Sequence, residues 1–201
     1  MIRSLLALLA AASLTVVIPK FVGLGVSHIL PGGLDHIPFI LGLFFLTRQF
    51  EALLLQITLF TIAHSLTLAL SLYGLVDAPT NLVEIAIALS IAFVAADNLY
   101  QSRLHRWRPW IVFGSGLIHG LGFAHTFSDH QVGAEEFLPA LFSFNVGIEL
   151  GQLAVVALAF VCVSAWWRSQ FYMRRIARPA SAFIGVAGVL WVIERVQIAL
   201  S

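Results

Sequence analysis

The sequence has few charged residues, one cysteine and one lysine. Asp, Glu, Lys and Arg make up 10% of the 201 residues, against about 25% in a typical soluble protein, and this deficit excludes a soluble globular domain. The lone Cys162 excludes an internal disulfide. The lone Lys20 excludes a phosphate-binding loop of the G-x-x-x-x-G-K-[ST] type and a retinal Schiff base late in the chain. ATP-driven pumping and opsin-like photochemistry are therefore excluded for this chain.

Apolar residues account for 60% of the sequence, and the mean hydropathy is +0.95. Apolar runs long enough to cross a bilayer recur along the chain, which predicts an all-α, polytopic helical membrane protein with one transmembrane domain over residues 1–201. A net charge of +1 argues against a nucleic-acid partner. Seven spans are expected, near Ile2–Ile18, Phe21–Thr47, Ala52–Leu72, Leu82–Leu99, Trp110–Phe127, Phe137–Trp166 and Ala180–Val192.

The first 18 residues have two interpretations. Arg3 precedes an apolar run, and the small residues Ala10 to Ser13 suggest a signal cleavage site. The apolar run continues through Leu14 to Ile18, which favours an uncleaved signal-anchor as the first span. Cleavage would leave six spans.

Charge in the loops predicts the orientation. Two loops are basic, one with Arg103, His105, Arg106 and Arg108 and one with Arg168, Arg174, Arg175 and Arg178. Two loops are acidic, one with Asp77 and one with Asp129, His130, Glu135 and Glu136. The positive-inside rule places the arginine loops in the cytoplasm. We therefore expect a multi-pass protein of the inner cell membrane with its N-terminus in the cytoplasm and its C-terminus outside.

The second span carries ionisable residues on both sides of a break. Pro31, Gly32 and Gly33 interrupt the helix between His28 and the pair Asp35 and His36. Ionisable groups inside a span are costly to bury and point to function. With His64 of the third span, His28, Asp35 and His36 are the predicted metal ligands, in the outer half of the membrane.

Further polar residues in spans three to six continue this series of polar groups toward the membrane centre. Counting 1.5 Å per residue along each helix places His119, Asn145 and Glu149 near the membrane centre. The predicted transport path contains Ser65, Glu84, His119, Asn145, Glu149 and Gln152.

The donor set restricts the metal. Imidazole and carboxylate without thiolate suit nickel, cobalt, zinc or iron(II). The two methionines, Met1 and Met173, lie away from the predicted ligands, which argues against copper(I).

Five motifs follow one another between Gly25 and Gln152. They are Gly25-x-x-His28-Ile29-Leu30 with Gly33-Leu34-Asp35-His36; Phe60-Thr61-x-Ala63-His64-Ser65-x-Thr67; Val83-Glu84-x-x-Ile87-Ala88-x-Ser90; Phe113-Gly114-x-x-x-x-His119-Gly120-x-Gly122-Phe123-Ala124; and Phe144-Asn145-x-Gly147-x-Glu149-x-Gly151-Gln152. In this order they resemble the HupE/UreJ family of membrane proteins. Hydrogenase-associated members of that family have five residues between the first histidine and the Asp-His pair, and paired histidines around a glycine. This chain has six residues between His28 and Asp35 and only His119 in the second motif, so it resembles the second branch of the family.

The resemblance implies a secondary nickel or cobalt permease associated with hydrogenase and urease maturation. It implies that His28, Asp35 and His36 handle the metal, with Glu84, His119 and Glu149 contributing. The expected partners are the lipid bilayer and a divalent nickel, cobalt or zinc ion, while a homo-oligomer and a metalloenzyme maturation system stay open.

Two other functions fit the same residues. One is an intramembrane zinc-dependent hydrolase, in which His28, His36 and either His64 or Asp35 hold the metal and a bound water attacks a lipid amide or ester. The other is an assembly partner for a metalloenzyme that transports nothing. Polar groups that continue past the first cluster favour the permease.

Overall fold

The computed structural model describes residues 2–101, 103–123, 133 and 135–201, and side chains from residue 14 onward. Asp129 and His130 of the predicted acidic loop lie outside these residues. The described part of the chain is 82% helical and contains seven α-helices and no strands, which confirms the all-α class. They are α1 Ile2–Ile29, α2 His36–Leu46, α3 Phe50–Leu72, α4 Thr80–Tyr100, α5 Arg108–Gly122, α6 Phe137–Val163 and α7 Arg178–Leu200, with a 3-10 turn at Ser164–Trp166 and a π-helical turn at Met173–Ala177.

Among the described residues, four helical segments are long and apolar enough to cross a membrane. They are Phe50–Leu72, Thr80–Tyr100, Phe137–Trp166 and Met173–Leu200. Two shorter apolar segments lie on either side of the break: Leu14–Ile29, the part of α1 whose side chains are described, and His36–Leu46. Together these lengths define an integral membrane protein built from helices.

The expected boundary between the first two spans is absent, because α1 continues through Pro19 and Lys20 to Ile29. Val17, Phe21 and Ile29 are buried at helical spacing along one face. This apolar face passes the proline without interruption, so the helix has no reason to turn there. The expectation of a cytoplasmic N-terminus was based on a turn near Lys20, and α1 makes no turn there.

The predicted break lies between α1 and α2. Close packing of the backbone requires glycine here, because a Cβ on Gly33 would lie 2.8 Å from the carbonyl oxygen of His28 and 2.9 Å from that of Ile29. The helix resumes at His36, where the backbone N–H donates to the Asp35 carboxylate at 2.9 Å. This side-chain cap satisfies a free donor at the helix start.

The short helix α2 lies at the centre of the bundle. It contacts α3, α4, α6 and α7, while the other helices pack mainly in the pairs α1 with α6, α3 with α5, and α4 with α7. Eight of its eleven residues are buried. A helix that is apolar on all sides is typical of a core position.

The two ends of the bundle carry opposite charges. We name them the arginine end, with Arg48, Arg103, Arg106, Arg108, Arg168, Arg174, Arg175 and Arg178, and the acidic end, with Asp77, Glu84, Glu135, Glu136 and Glu194. At the arginine end, Arg48 donates a hydrogen bond to the backbone carbonyl of Trp167. At the acidic end, the rings of Tyr73 and Phe137 meet at 4.9 Å.

The close packing of α1 on α6 can be tested by substitution. A Cβ on Gly25 would lie 2.1 Å from the carbonyl oxygen of Phe144, whereas a Cβ on Gly23 would meet nothing within 4 Å. We expect Gly25→Ala to destabilise the bundle by about 1–3 kcal/mol through overpacking. The measurement is thermal unfolding of the detergent-solubilised protein.

Gly23→Ala is the matched control on the same helix, and its higher helix propensity should leave stability unchanged or slightly raised. Equal midpoints for the two variants would contradict the close crossing.

Candidate metal centre

Four histidines from four different helices meet at the centre of the bundle. The ring of His36, on α2, lies 4.6 Å from that of His28, 5.7 Å from that of His64 and 4.8 Å from that of His119, measured between centroids. The rings of His28 and His64 are 5.8 Å apart. The break between α1 and α2 brings His28 and His36 together, since it places the end of one helix beside the start of the next.

These separations match the spacing of imidazoles around a metal ion. A zinc-bound nitrogen lies about 2.1 Å from the metal, which puts the ring centroid about 3.2 Å away and tetrahedral neighbours about 5.2 Å apart. The four observed separations, from 4.6 to 5.8 Å, lie on both sides of this value. The histidines can therefore approach one ion with small side-chain movements.

Asp35 orients His36. The Nδ1 atom of His36 lies 2.9 Å from Oδ1 of Asp35, and because a carboxylate accepts, Nδ1 carries the proton. The lone pair of His36 is then on Nε2. A carboxylate that fixes a histidine tautomer in this way is the usual outer partner of a metal ligand.

The free nitrogens of these rings have no hydrogen-bond partners. Within the described part of the chain, the buried atoms without a partner include Nε2 of His28, Nε2 of His36, both ring nitrogens of His64 and Nδ1 of His119. Leaving a buried polar atom unsatisfied costs about 1–3 kcal/mol. Five such atoms in one cluster indicate a site for a ligand that accepts imidazole lone pairs.

His119 belongs to the same group as the residues that were predicted nearer the outside. One ligand atom each of Asp35, His36 and His119 lies within 4.8 Å of the others. The prediction had placed His119 deeper, on the transport path. Counting residues along separate helices missed this contact, because the break starts α2 at the depth of His119. We call the five residues His28, Asp35, His36, His64 and His119 the histidine cluster.

A cleft leads from the acidic end to the cluster. It has a volume of about 430 Å³, and Asp35 lines it together with Glu84 of α4 and Glu194 and Arg195 of α7. Arg195 donates to the backbone carbonyl of Glu84 at 2.6 Å. The predicted path residue Glu84 therefore shares a cavity with the cluster without touching the histidines.

The other predicted path residues lie between α3 and α6. Thr58 donates to Glu149 at 2.8 Å, and Thr61 donates to Gln152 at 2.9 Å. Thr58 is six residues before His64, about 9 Å toward the arginine end along the helix axis.

Asn145 and Ser65 bond within their own helices. Asn145 donates to the carbonyl of Leu141 at 2.8 Å, while its buried Oδ1 has no partner among the described residues. Ser65 donates to the carbonyl of Thr61 at 2.6 Å. The structure thus keeps these residues outside the histidine cluster.

Two aromatic rings close the cluster on the side facing the arginine end. The ring of Phe60 lies 5.0 Å from that of Phe39 and 5.2 Å from that of His119, while Phe39 lies 5.3 Å from His119. Both phenylalanines are buried. The histidine cluster therefore lies against an apolar layer on this side.

A buried arginine network lies beyond this layer. Arg108, 1% exposed, forms an ion pair with Asp97 and donates to Asn98 at 3.0 Å, to Gln56 at 3.4 Å and to the carbonyl of Gly42 at 3.3 Å. These contacts connect α5 to α2, α3 and α4. The network fixes the helices that carry three of the four histidines.

Sequence reasoning missed this network and two residues near the cluster. The sequence analysis placed Arg108 in a basic loop and gave no role to Asp97, although opposite charges eleven positions apart were a signal for a pair. Ser90, whose Oγ lies 3.0 Å from Nε2 of His119, belongs to one of the five motifs, but no role was assigned to it. Glu194 had no signal, since its position beside Glu84 depends on the packing of α7.

The fold and the site define a helical membrane protein with a histidine-rich group in its interior that could hold a metal ion. The sequence model of the HupE / UreJ protein family matches residues 6–195. The chain belongs to this family, which is associated with nickel and cobalt transport or with urease and hydrogenase maturation. No curated protein and no solved structure shows significant similarity to it.

The buried network around Arg108 leads to a prediction about the stability of the fold. Removing one partner of a buried ion pair leaves the other charge uncompensated, which typically costs about 3–5 kcal/mol. We expect Asp97→Ala to lower the thermal unfolding midpoint strongly in detergent, because Arg108 keeps its burial and loses its counter-ion.

Arg103→Ala removes an exposed charge from the same end and should leave the midpoint within experimental error. If Asp97→Ala behaves like Arg103→Ala, the network does not stabilise the fold.

Proposed function

We propose that the chain is a secondary permease that takes up a divalent transition metal of the nickel and cobalt type. The observation that carries the proposal is the histidine cluster, where unpartnered imidazole nitrogens converge from four helices. Imidazole binds nickel, cobalt and zinc alike, and the family association favours nickel and cobalt. The metal ion is the substrate in this proposal.

Charge at the two ends supports an orientation for transport. By the positive-inside rule, the arginine end faces the cytoplasm and the acidic end faces outward. The C-terminus, which follows α7 at the acidic end, is then outside. A divalent ion that enters the cell gains about 4.6 kcal/mol per 100 mV of inside-negative potential, so transport needs no nucleotide.

The cleft and the polar pairs suggest a route through the protein. A cation would approach along Glu84 and Glu194, reach Asp35, and exchange its water ligands for imidazole in the histidine cluster. Its exit would follow the contacts of Glu149 with Thr58 and of Gln152 with Thr61 toward the arginine end. Interrupted helices at mid-membrane commonly form ion sites in transporters.

Polar groups on both sides of the cluster favour the permease over the hydrolase. A hydrolase needs one tightly held metal with an open position for water, and it needs no path beyond the metal. Membership of the family is the basis for proposing a link to a urease or hydrogenase maturation system. A homo-oligomer stays a prediction from the sequence.

His36→Ala tests the proposal, because it removes the residue closest to the other histidines. In proteoliposomes with an inside-negative potential, we expect uptake of nickel or cobalt to fall at least tenfold relative to the wild type. His105→Ala is the control, since His105 lies outside the cluster and contacts Asp97 at 3.1 Å. Rates are normalised to the amount of folded protein.

The metal content of the purified protein separates the three functions. Zinc at one ion per chain that survives mild chelation in the wild type and is lost in His36→Ala would support the hydrolase and overturn the permease. Altered stability of His36→Ala with unchanged metal uptake would support the assembly partner.

Glu84→Gln tests the access cleft. Removing a carboxylate from the cleft lowers the local cation concentration without altering the histidine cluster. We expect the KM for metal uptake to rise severalfold at low ionic strength, with a nearly unchanged maximal rate.

Glu51→Gln removes an exposed carboxylate near the arginine end and serves as the control. Equal KM values for Glu84→Gln and Glu51→Gln would show that the cation does not enter through this cleft.

A further inference from the structure

A serine on α4 contacts one ring nitrogen of a histidine in the cluster. The Oγ atom of Ser90 lies 3.0 Å from Nε2 of His119. Ser90 is 7% exposed and His119 is 1% exposed, so water does not compete freely for this contact. The contact joins α4 to α5 at the level of the histidine cluster.

The hydroxyl proton of Ser90 is already used. Its Oγ lies 2.7 Å from the backbone carbonyl oxygen of Ile87. A carbonyl oxygen only accepts hydrogen bonds, so this contact requires the hydroxyl to donate. Toward His119, the same oxygen must accept, and Nε2 of His119 therefore carries the proton.

This protonation leaves the lone pair of His119 on Nδ1. That atom is buried and has no hydrogen-bond partner among the described residues. His119 also offers a ligand atom within 4.8 Å of those of Asp35 and His36. Ser90 thus has the same role for His119 that Asp35 has for His36. Each hydrogen-bonds to one ring nitrogen and leaves the lone pair of the other nitrogen free.

We infer that Ser90 is a positioning residue that holds His119 in the tautomer whose Nδ1 is available to the transported cation. The inference deepens the proposed function and rests on it. The ligand is a divalent transition-metal ion with a preference for imidazole, and Ser90 itself does not touch it.

The test measures binding of nickel or cobalt to the full-length protein in detergent. Loss of a residue that orients a metal ligand typically weakens binding 10–100-fold. We expect this loss for Ser90→Ala, because His119 can then rotate or exchange tautomers. Ser90→Thr keeps a hydroxyl that can make both contacts and should bind within about threefold of the wild type.

Ser115→Ala is the matched control for loss of a buried hydroxyl. Ser115 is 6% exposed and donates to the carbonyl of Ile111 at 2.8 Å on α5, the helix that carries His119. Its affinity should equal that of the wild type. Equal losses in Ser90→Ala and Ser115→Ala, or failure of Ser90→Thr to restore binding, would overturn the inference.

A second measurement separates this inference from the proposed function. Nitrogen-15 NMR of the His119 ring in the metal-free protein reports its tautomer. We expect the Nε2–H form in the wild type and a mixture or the Nδ1–H form in Ser90→Ala. A wild type that binds no metal would overturn the permease, whereas an unchanged tautomer or an unchanged affinity in Ser90→Ala would overturn the role of Ser90 alone.

Discussion

In the described part of the chain, buried imidazole nitrogens without a hydrogen-bond partner determine how the other features of this molecule are arranged. Burying a polar atom without a hydrogen bond is unfavourable, and here the atoms belong to rings held on separate helices at mid-bundle. Scattered single nitrogens would be a small cost for a helical bundle. Their convergence on one region is different, because a single divalent ion can accept the lone pair of one nitrogen from each of several rings. The other features of the molecule hold this convergence in place.

The break between α1 and α2 makes the convergence possible. A continuous helix would separate His28 and His36 by two turns, whereas the tight turn at Gly32 and Gly33 places their rings 4.6 Å apart. Close packing of glycine against neighbouring backbone then fixes α1 on α6, and the Arg108 network fixes α2, α3, α4 and α5 relative to one another. A metal centre on loops would tolerate less precise packing. Here the ligands come from helices, so their geometry is set by the bundle itself.

The sequence predicted the helical class and the break, because both follow from local signals: long apolar runs, and Pro31 followed by two glycines. It also named all four histidines of the cluster. The sequence could not place His119 beside His36, since depth counted along one helix says nothing about where a broken neighbour restarts. The turn expected near Lys20 was wrong for a related reason. Pro19 is a local breaking signal, but the buried face of Val17, Phe21 and Ile29 packs continuously on α6 and overrides it. The partners of Arg108 were hidden for the same cause, as they lie on three other helices.

The proposed function depends on direct coordination of a divalent transition metal by the histidine cluster. X-ray absorption spectroscopy of the cobalt-loaded wild-type protein tests it most directly, because imidazole ligands give a distinctive scattering pattern beyond the first coordination sphere. We expect at least three imidazole nitrogens in the coordination sphere, with a clear reduction of this pattern in His64→Ala. A spectrum dominated by oxygen ligands, or one that is the same in wild type and His64→Ala, would contradict it.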